Sequence, residues 1–84
     1  MATTEYLQYW VKISKDRATN LVVAEVPALG TADDGVDQQD ALSNIQKMVE
    51  FHLDCLTEEG QPLPIEKRKR EGLYLHVRRP ARAA

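Results

Sequence analysis

The chain has a single cysteine, Cys55, so no internal disulfide can staple it. No apolar run approaches the roughly 20 residues of a membrane helix, and the N-terminus lacks a signal-peptide pattern. A reducing cytoplasm is the compartment these absences fit. There is no glycine-rich phosphate loop among the four glycines. Eighty-four residues make one domain, and a chain of this size hides only about 60% of its unfolded surface, which favours self-association as a homodimer.

Basic residues are almost missing from the middle of the chain. Between Glu25 and Glu59 nine acids face a single base, Lys47, whereas Glu66 to Ala84 carries seven bases against two acids. The net charge of -2 conceals this acidic body and basic tail. Such blocks serve either as contacts for an oppositely charged partner or as solvated surface.

The strongest pattern that is present runs from Gly35 to Pro64. Asp37 offers a side-chain oxygen to the orphan N–H groups of a first turn, and Asp40 stands where a capping box places an acid. Leu42, Ile45, Val49, Leu53 and Leu56 recur at intervals of three or four, with Ala41, Met48 and His52 widening the stripe. Gly60 suits the left-handed conformation that closes a last turn, and Pro62 and Pro64 prevent the helix from resuming. These signals predict a helix from Asp37 to Glu59, a rod of roughly 34 Å.

The remaining segments predict a sheet for that helix to cross. Leu7, Tyr9, Val11 and Ile13 alternate with Gln8, Trp10, Lys12 and Ser14, the period of a strand with one face on a core. Trp10 falls on the polar face, where it either covers a satellite patch or anchors an interface. Lys15 to Asn20 reads as a hairpin turn, and Leu21 to Val26 as a central strand ended by Pro27. A short polar edge strand fits Thr31 to Asp34, and Leu73, Leu75 and Val77 mark a last strand ending before Pro80. The expected fold is α+β in the order β-β-β-α-β, with one long helix on a small, mostly antiparallel sheet. Val11, Ile13, Val23 and Leu75 are its expected contacts to the helix. The domain spans 6–79, with 1–5 and 80–84 as flexible termini.

Four pieces in this order carry a resemblance. They are the run Val22-Val23-Ala24-Glu25-Val26-Pro27-Ala28-Leu29-Gly30, then Gly35, then Asp37 to Ile45 with Ala41-Leu42 and Asn44-Ile45, and finally Glu58-Glu59-Gly60-Gln61-Pro62-Leu63-Pro64. Together they resemble the HicB antitoxin family over roughly Tyr6 to Val77. In that family the cap is usually Thr or Ser, where this chain has Asp37, and a Cys often follows the glycine, where this chain has Thr31. The resemblance implies a partial ribonuclease-H-like fold without the nuclease site, and a partner in the form of a small basic ribonuclease, the HicA toxin. Many family members add a C-terminal DNA-binding segment. Only seven residues follow Val77, so direct DNA binding is not expected.

The residues themselves offer little chemistry. A ribonuclease-H-type site needs several carboxylates converging on two metal ions, beginning with the opening strand, and that strand has none. Asp33 and Asp34 are neighbours, so in extended chain they point to opposite faces. His52 and Cys55 are three apart on the helix, but two ligands do not make a zinc site, and His76 joins only if the last strand passes that turn. Asp54 and Glu58 make the surroundings of Cys55 too negative for a reactive thiolate. No catalytic, metal or cofactor residue is assigned.

Two functions from different classes follow. In one the protein is a non-catalytic antitoxin that binds a HicA-type toxin through Trp10, Glu25, Asp33 and Asp34. In the other it is a small regulatory module that binds nucleic acid through Lys67, Arg68, Lys69, Arg70, Arg78 and Arg79, together with Arg82. Against the second, this basic set has only Tyr74 as a nearby aromatic for stacking bases.

Overall fold

The computed structural model describes residues 6–66 and 71–80. Of the termini expected to be flexible, 1–5 and 80–84, residues 1–5 and 81–84 lie outside the described residues, as does the basic run Lys67, Arg68, Lys69 and Arg70. In chain order the elements are β1 (Tyr6–Lys15), β2 (Val22–Val26), a single 3-10 turn (Pro27–Leu29), β3 (Thr31–Gly35), α1 (Gln38–Glu58) and β4 (Leu73–Arg78). They form one four-stranded sheet in the order β3-β2-β1-β4, in which every neighbouring pair is antiparallel. The α+β order and the polar edge strand are as expected, and the sheet is antiparallel throughout. No helix among the described residues is long and apolar enough to cross a membrane.

Alternation sorts β1 into two faces. Leu7, Tyr9 and Val11 are buried towards α1, joined by Ala24 and Val26 of β2 and by Leu75 and Val77 of β4. The helix meets them with Ala41, Ile45, Val49 and Leu53, all fully buried, while Leu42 and Leu56 flank this seam half-buried. Met48, expected in the stripe, is instead exposed. A four-residue spacing advances about 40° per step around a helix of 3.6 residues per turn. The seam therefore slants, and at the level of Met48 it has already rotated towards Val49. Phe51 lies farther round on the same flank and is exposed too.

Val23 corrects a second expectation. It pairs with Ser14 and Asp34, so it lies on the face away from the helix, and Ala24 and Val26 take the core positions. A nearly continuous apolar strand carries no parity of its own. Its faces are set by the register against β1, in which Lys12 opposes Glu25 and Ile13 opposes Ala24.

The helix ends follow the capping signals. Asp37 Oδ1 accepts the Asp40 N–H at 2.8 Å, while Asp40 Oδ2 accepts the Val36 N–H at 2.9 Å, one residue before the cap. At the other end Gly60 adopts φ 71°; its N–H donates to the Thr57 carbonyl and that of Gln61 to the Leu56 carbonyl, the two bonds of a Schellman closure.

Past α1 the connector seats against β1. Leu63 packs on the core, and the Tyr9 hydroxyl donates to the Pro64 carbonyl at 2.6 Å. The ladder between β1 and β2 stops at Lys12 and Glu25, because continuing its register would bring Pro27, which lacks an N–H, opposite Trp10. The Trp10 amide donates to Glu66 Oε1 at 2.9 Å instead. Burial raises the pKa of the Tyr9 phenol above 10.0, with Glu66 adding to the rise and Arg79 opposing it.

Replacing Ile45 or Leu53 by Ala should cost about 2 to 5 kcal/mol, whereas Met48→Ala should stay within roughly 0.5 kcal/mol, as read by urea denaturation. Equal losses at all three positions would refute the slanted seam. Tyr9 generates a pH effect. The unfolded phenol loses its proton near pH 10 while the folded one retains it, so stability should fall as pH rises from about 10 towards the raised folded value. Tyr9→Phe should lower stability by about 1 kcal/mol at neutral pH and remove that alkaline decline.

Candidate binding face of the sheet

The helix covers one face of the sheet, and among the described residues no element covers the other. Strand parity places Tyr6, Gln8, Trp10, Lys12 and Ser14 of β1 on this open face. Register then sets their neighbours. Arg78 stands opposite Tyr6, His76 opposite Gln8 and Tyr74 opposite Trp10. On the other side Glu25 opposes Lys12 and Ala32 opposes Glu25, while Val23 lies between Ser14 and Asp34.

The face is divided in charge and in kind. Its β1–β4 half holds three of the protein's five aromatic residues, Tyr6, Trp10 and Tyr74, interleaved with Lys12, His76 and Arg78. Its β2–β3 half carries the exposed carboxylates of Glu25 and Asp34. Directly opposed residues on one face bring their Cβ atoms to roughly 5 Å, close enough for the Trp10 and Tyr74 rings to touch. Both are half-buried, while Tyr6 at the end of the strand is 63% exposed. Gly72, at φ 133°, brings its backbone under the indole, and a Cβ there would lie 3.0 Å from Trp10 Nε1. Trp10 is thus held by the hydrogen bond that its backbone N–H donates to Glu66 Oε1 and by contact with Gly72, residues that bracket the Lys67–Arg70 run in sequence.

Of the residues nominated for a protein partner, Trp10, Glu25 and Asp34 share this face. Asp33 does not. It is half-buried on the helix side at the sheet edge, where its Oδ1 accepts the Asp34 N–H at 2.8 Å. Of the nucleic-acid candidates, Arg78 falls on the open face by strand parity, and at the end of β4 it also lines, with Arg79, Pro80, Glu50 and Asp54, a shallow depression beside α1. The other candidates, Lys67 to Arg70 and Arg82, lie outside the described residues. Tyr6, Gln8 and His76 join the face without having been nominated. Their even positions in β1 and β4 are visible in the sequence, but the pairing that sets them side by side is not.

The ligand candidates stay apart. His52 and Cys55 are half-buried on α1, and His76 points from the opposite face of the sheet. Among the described residues no three His, Cys, Asp or Glu side chains are grouped to hold a metal ion.

No family model matches this chain, and comparison with curated proteins and with solved structures yields no match either.

Proposed function

We propose that this protein is a non-catalytic, antitoxin-like binder that neutralises a small basic ribonuclease of the HicA type through the open face of its sheet. The observation that carries this is that three of the four residues expected to meet a partner, Trp10, Glu25 and Asp34, share the sheet face that no element among the described residues covers. Glu25 and Asp34 would draw in the positive RNA-binding surface of such a partner and raise the association rate, while the half-buried indole of Trp10 supplies an anchor for affinity. The resemblance to HicB antitoxins, which extends over nearly the whole described domain, supports the same role, with a partial ribonuclease-H-like fold as its scaffold. A cytoplasmic location suits it.

Self-association belongs to this proposal. β3 and β4 are the outer strands of an open sheet; at β3 the Asp34 N–H and carbonyl are taken by Asp33 Oδ1 and Asn44 Nδ2, which leaves β4 as the edge better suited to pairing with another chain. The protein is proposed to act as a homodimer formed by edge pairing or by packing of exposed apolar surface. Light scattering at tens of micromolar should give twice the chain mass, and a monomer mass would reject the dimer.

The function is tested by co-expression with the small open reading frame adjacent to this gene. That product should arrest growth alone and be silenced by this protein; absence of toxicity, or toxicity that this protein leaves unchanged, would reject the antitoxin role. In purified components, reversing charge at Glu25 and Asp34 should slow association and reduce its salt dependence, and Trp10→Ala should mainly speed dissociation. Asp33→Asn, on the other side of the sheet, should change neither rate.

A further inference from the structure

The acidic half of the open face suits a basic partner, but the β1–β4 half has a different chemistry. Its side chains are Tyr6, Gln8, Trp10, Lys12, Tyr74, His76 and Arg78, and none is aliphatic. We propose that this half is a stacking platform for single-stranded nucleic acid, with Trp10 and Tyr74 receiving bases and Lys12 and Arg78 receiving phosphates. The proposal concerns the protein alone and does not rest on the antitoxin role.

The geometry suits an unpaired strand. Every base has a π-face, and flat side chains presented on an open sheet take bases of any sequence. Trp10 and Tyr74 stand directly opposite each other in the register, and Trp10 has its indole against Gly72 and its amide N–H bonded to Glu66, so its position is set before a ligand arrives. From Tyr6 to Lys12 the platform runs roughly 20 Å along β1, room for a short stretch at the low end of the roughly 4 to 16 nucleotides that compact OB-type sheet binders cover. The cations lie at its two ends, Lys12 beyond Trp10 in one direction and Arg78 opposite Tyr6 in the other. Gln8 and His76, paired between the two aromatic levels, can reach base edges with donors and acceptors.

Charge also sets the boundary of the site. Glu25, directly across from Lys12, and Asp34 beyond it repel phosphates, which confines a strand to β1 and β4 and keeps it off β2 and β3. A duplex keeps its base faces stacked inside and cannot use the rings.

The test titrates the full chain with a fluorescein-labelled ten-nucleotide RNA of mixed sequence, the DNA of the same sequence, and the corresponding duplex. Trp10 is the only tryptophan, so its emission reports on this face alone. Single strands should bind and quench Trp10, and the duplex should bind far more weakly. RNA binding tighter than DNA would add 2′-hydroxyl contacts, and equal binding would leave stacking and phosphates as the whole interaction; both support the platform. Tyr74→Ala should weaken single-strand binding roughly 5- to 150-fold, the equivalent of about 1 to 3 kcal/mol for one stacked base, while Tyr74→Phe, which keeps the ring, should restore it. Lys12→Ala and Arg78→Ala should each reduce the slope of log K against log salt by about 0.7. Circular dichroism confirms that the variants are folded. The proposal is overturned if no single strand binds at low salt, or if the duplex binds as tightly as the single strands. It is also overturned if folded Tyr74→Ala binds like the parent, since attraction would then lie with charge outside the platform. Should Tyr74→Ala leave oligonucleotide binding intact yet abolish rescue in co-expression, this half belongs to the protein partner instead.

Discussion

The seating of α1 on the end of β3 is the contact on which the rest of the molecule depends. A Cβ on Gly35 would lie 2.3 Å from the Ala41 amide nitrogen and 2.7 Å from the Asp40 carbonyl carbon, so no other residue lets the first turn of the helix come down on the strand. Backbone is nearest in that space, with Asp40 Oδ2 at 2.8 Å beside it, and the backbone cannot yield cheaply. The surrounding bonds reinforce the seat. Asp37 and Asp40 close the first turn, and one turn later Asn44 Nδ2 donates to the Asp34 carbonyl at 2.8 Å. With its start pinned to an edge strand, the helix crosses one face of the sheet and buries Ile45, Val49 and Leu53 against it.

Several of the residues that resemble the HicB pattern have structural tasks in this chain. Gly35 admits the helix, Gly30 at φ 63° follows the turn begun by Pro27, and Asn44 holds the edge strand. Gly60 closes α1, and the Pro64 carbonyl receives the Tyr9 hydroxyl. They mark the corners of the chain's path. Trp10, Tyr74, His76 and Arg78 lie outside those pieces, which is why the motif speaks to backbone course while the proposed contacts come from the face it leaves open.

The two halves of that face ask for different occupants. Carboxylates on β2 and β3 favour a basic surface, and rings and cations on β1 and β4 favour an acidic polymer. Trp10 stands near the boundary and is assigned to both by these proposals, so a protein partner and a nucleic-acid strand seated as proposed would exclude one another. Competition at one indole would couple the two activities without any conformational change.

Much of the fold was legible from residue order alone, because its signals are local. Caps at Asp37 and Gly60 act within one turn, and strict alternation in β1 and β4 declares which side chains are buried wherever the core lies. The limits are equally physical. Val23 sits in an apolar run without parity, and only pairing with β1 could assign its face. Met48 matches the helical period but misses a seam whose slant is set by the sheet beneath it. The same holds for the site. The sequence shows that Trp10 breaks a polar face, and that Asp33 and Asp34 diverge, since both follow from a period of two. It does not place Tyr74, 64 residues on, opposite Trp10, or set Arg78 beside Tyr6. Those neighbours exist because β4 returns antiparallel to β1 in one register, a long-range pairing decided by the tertiary structure when Leu73, Leu75 and Val77 bury their own face beneath the helix.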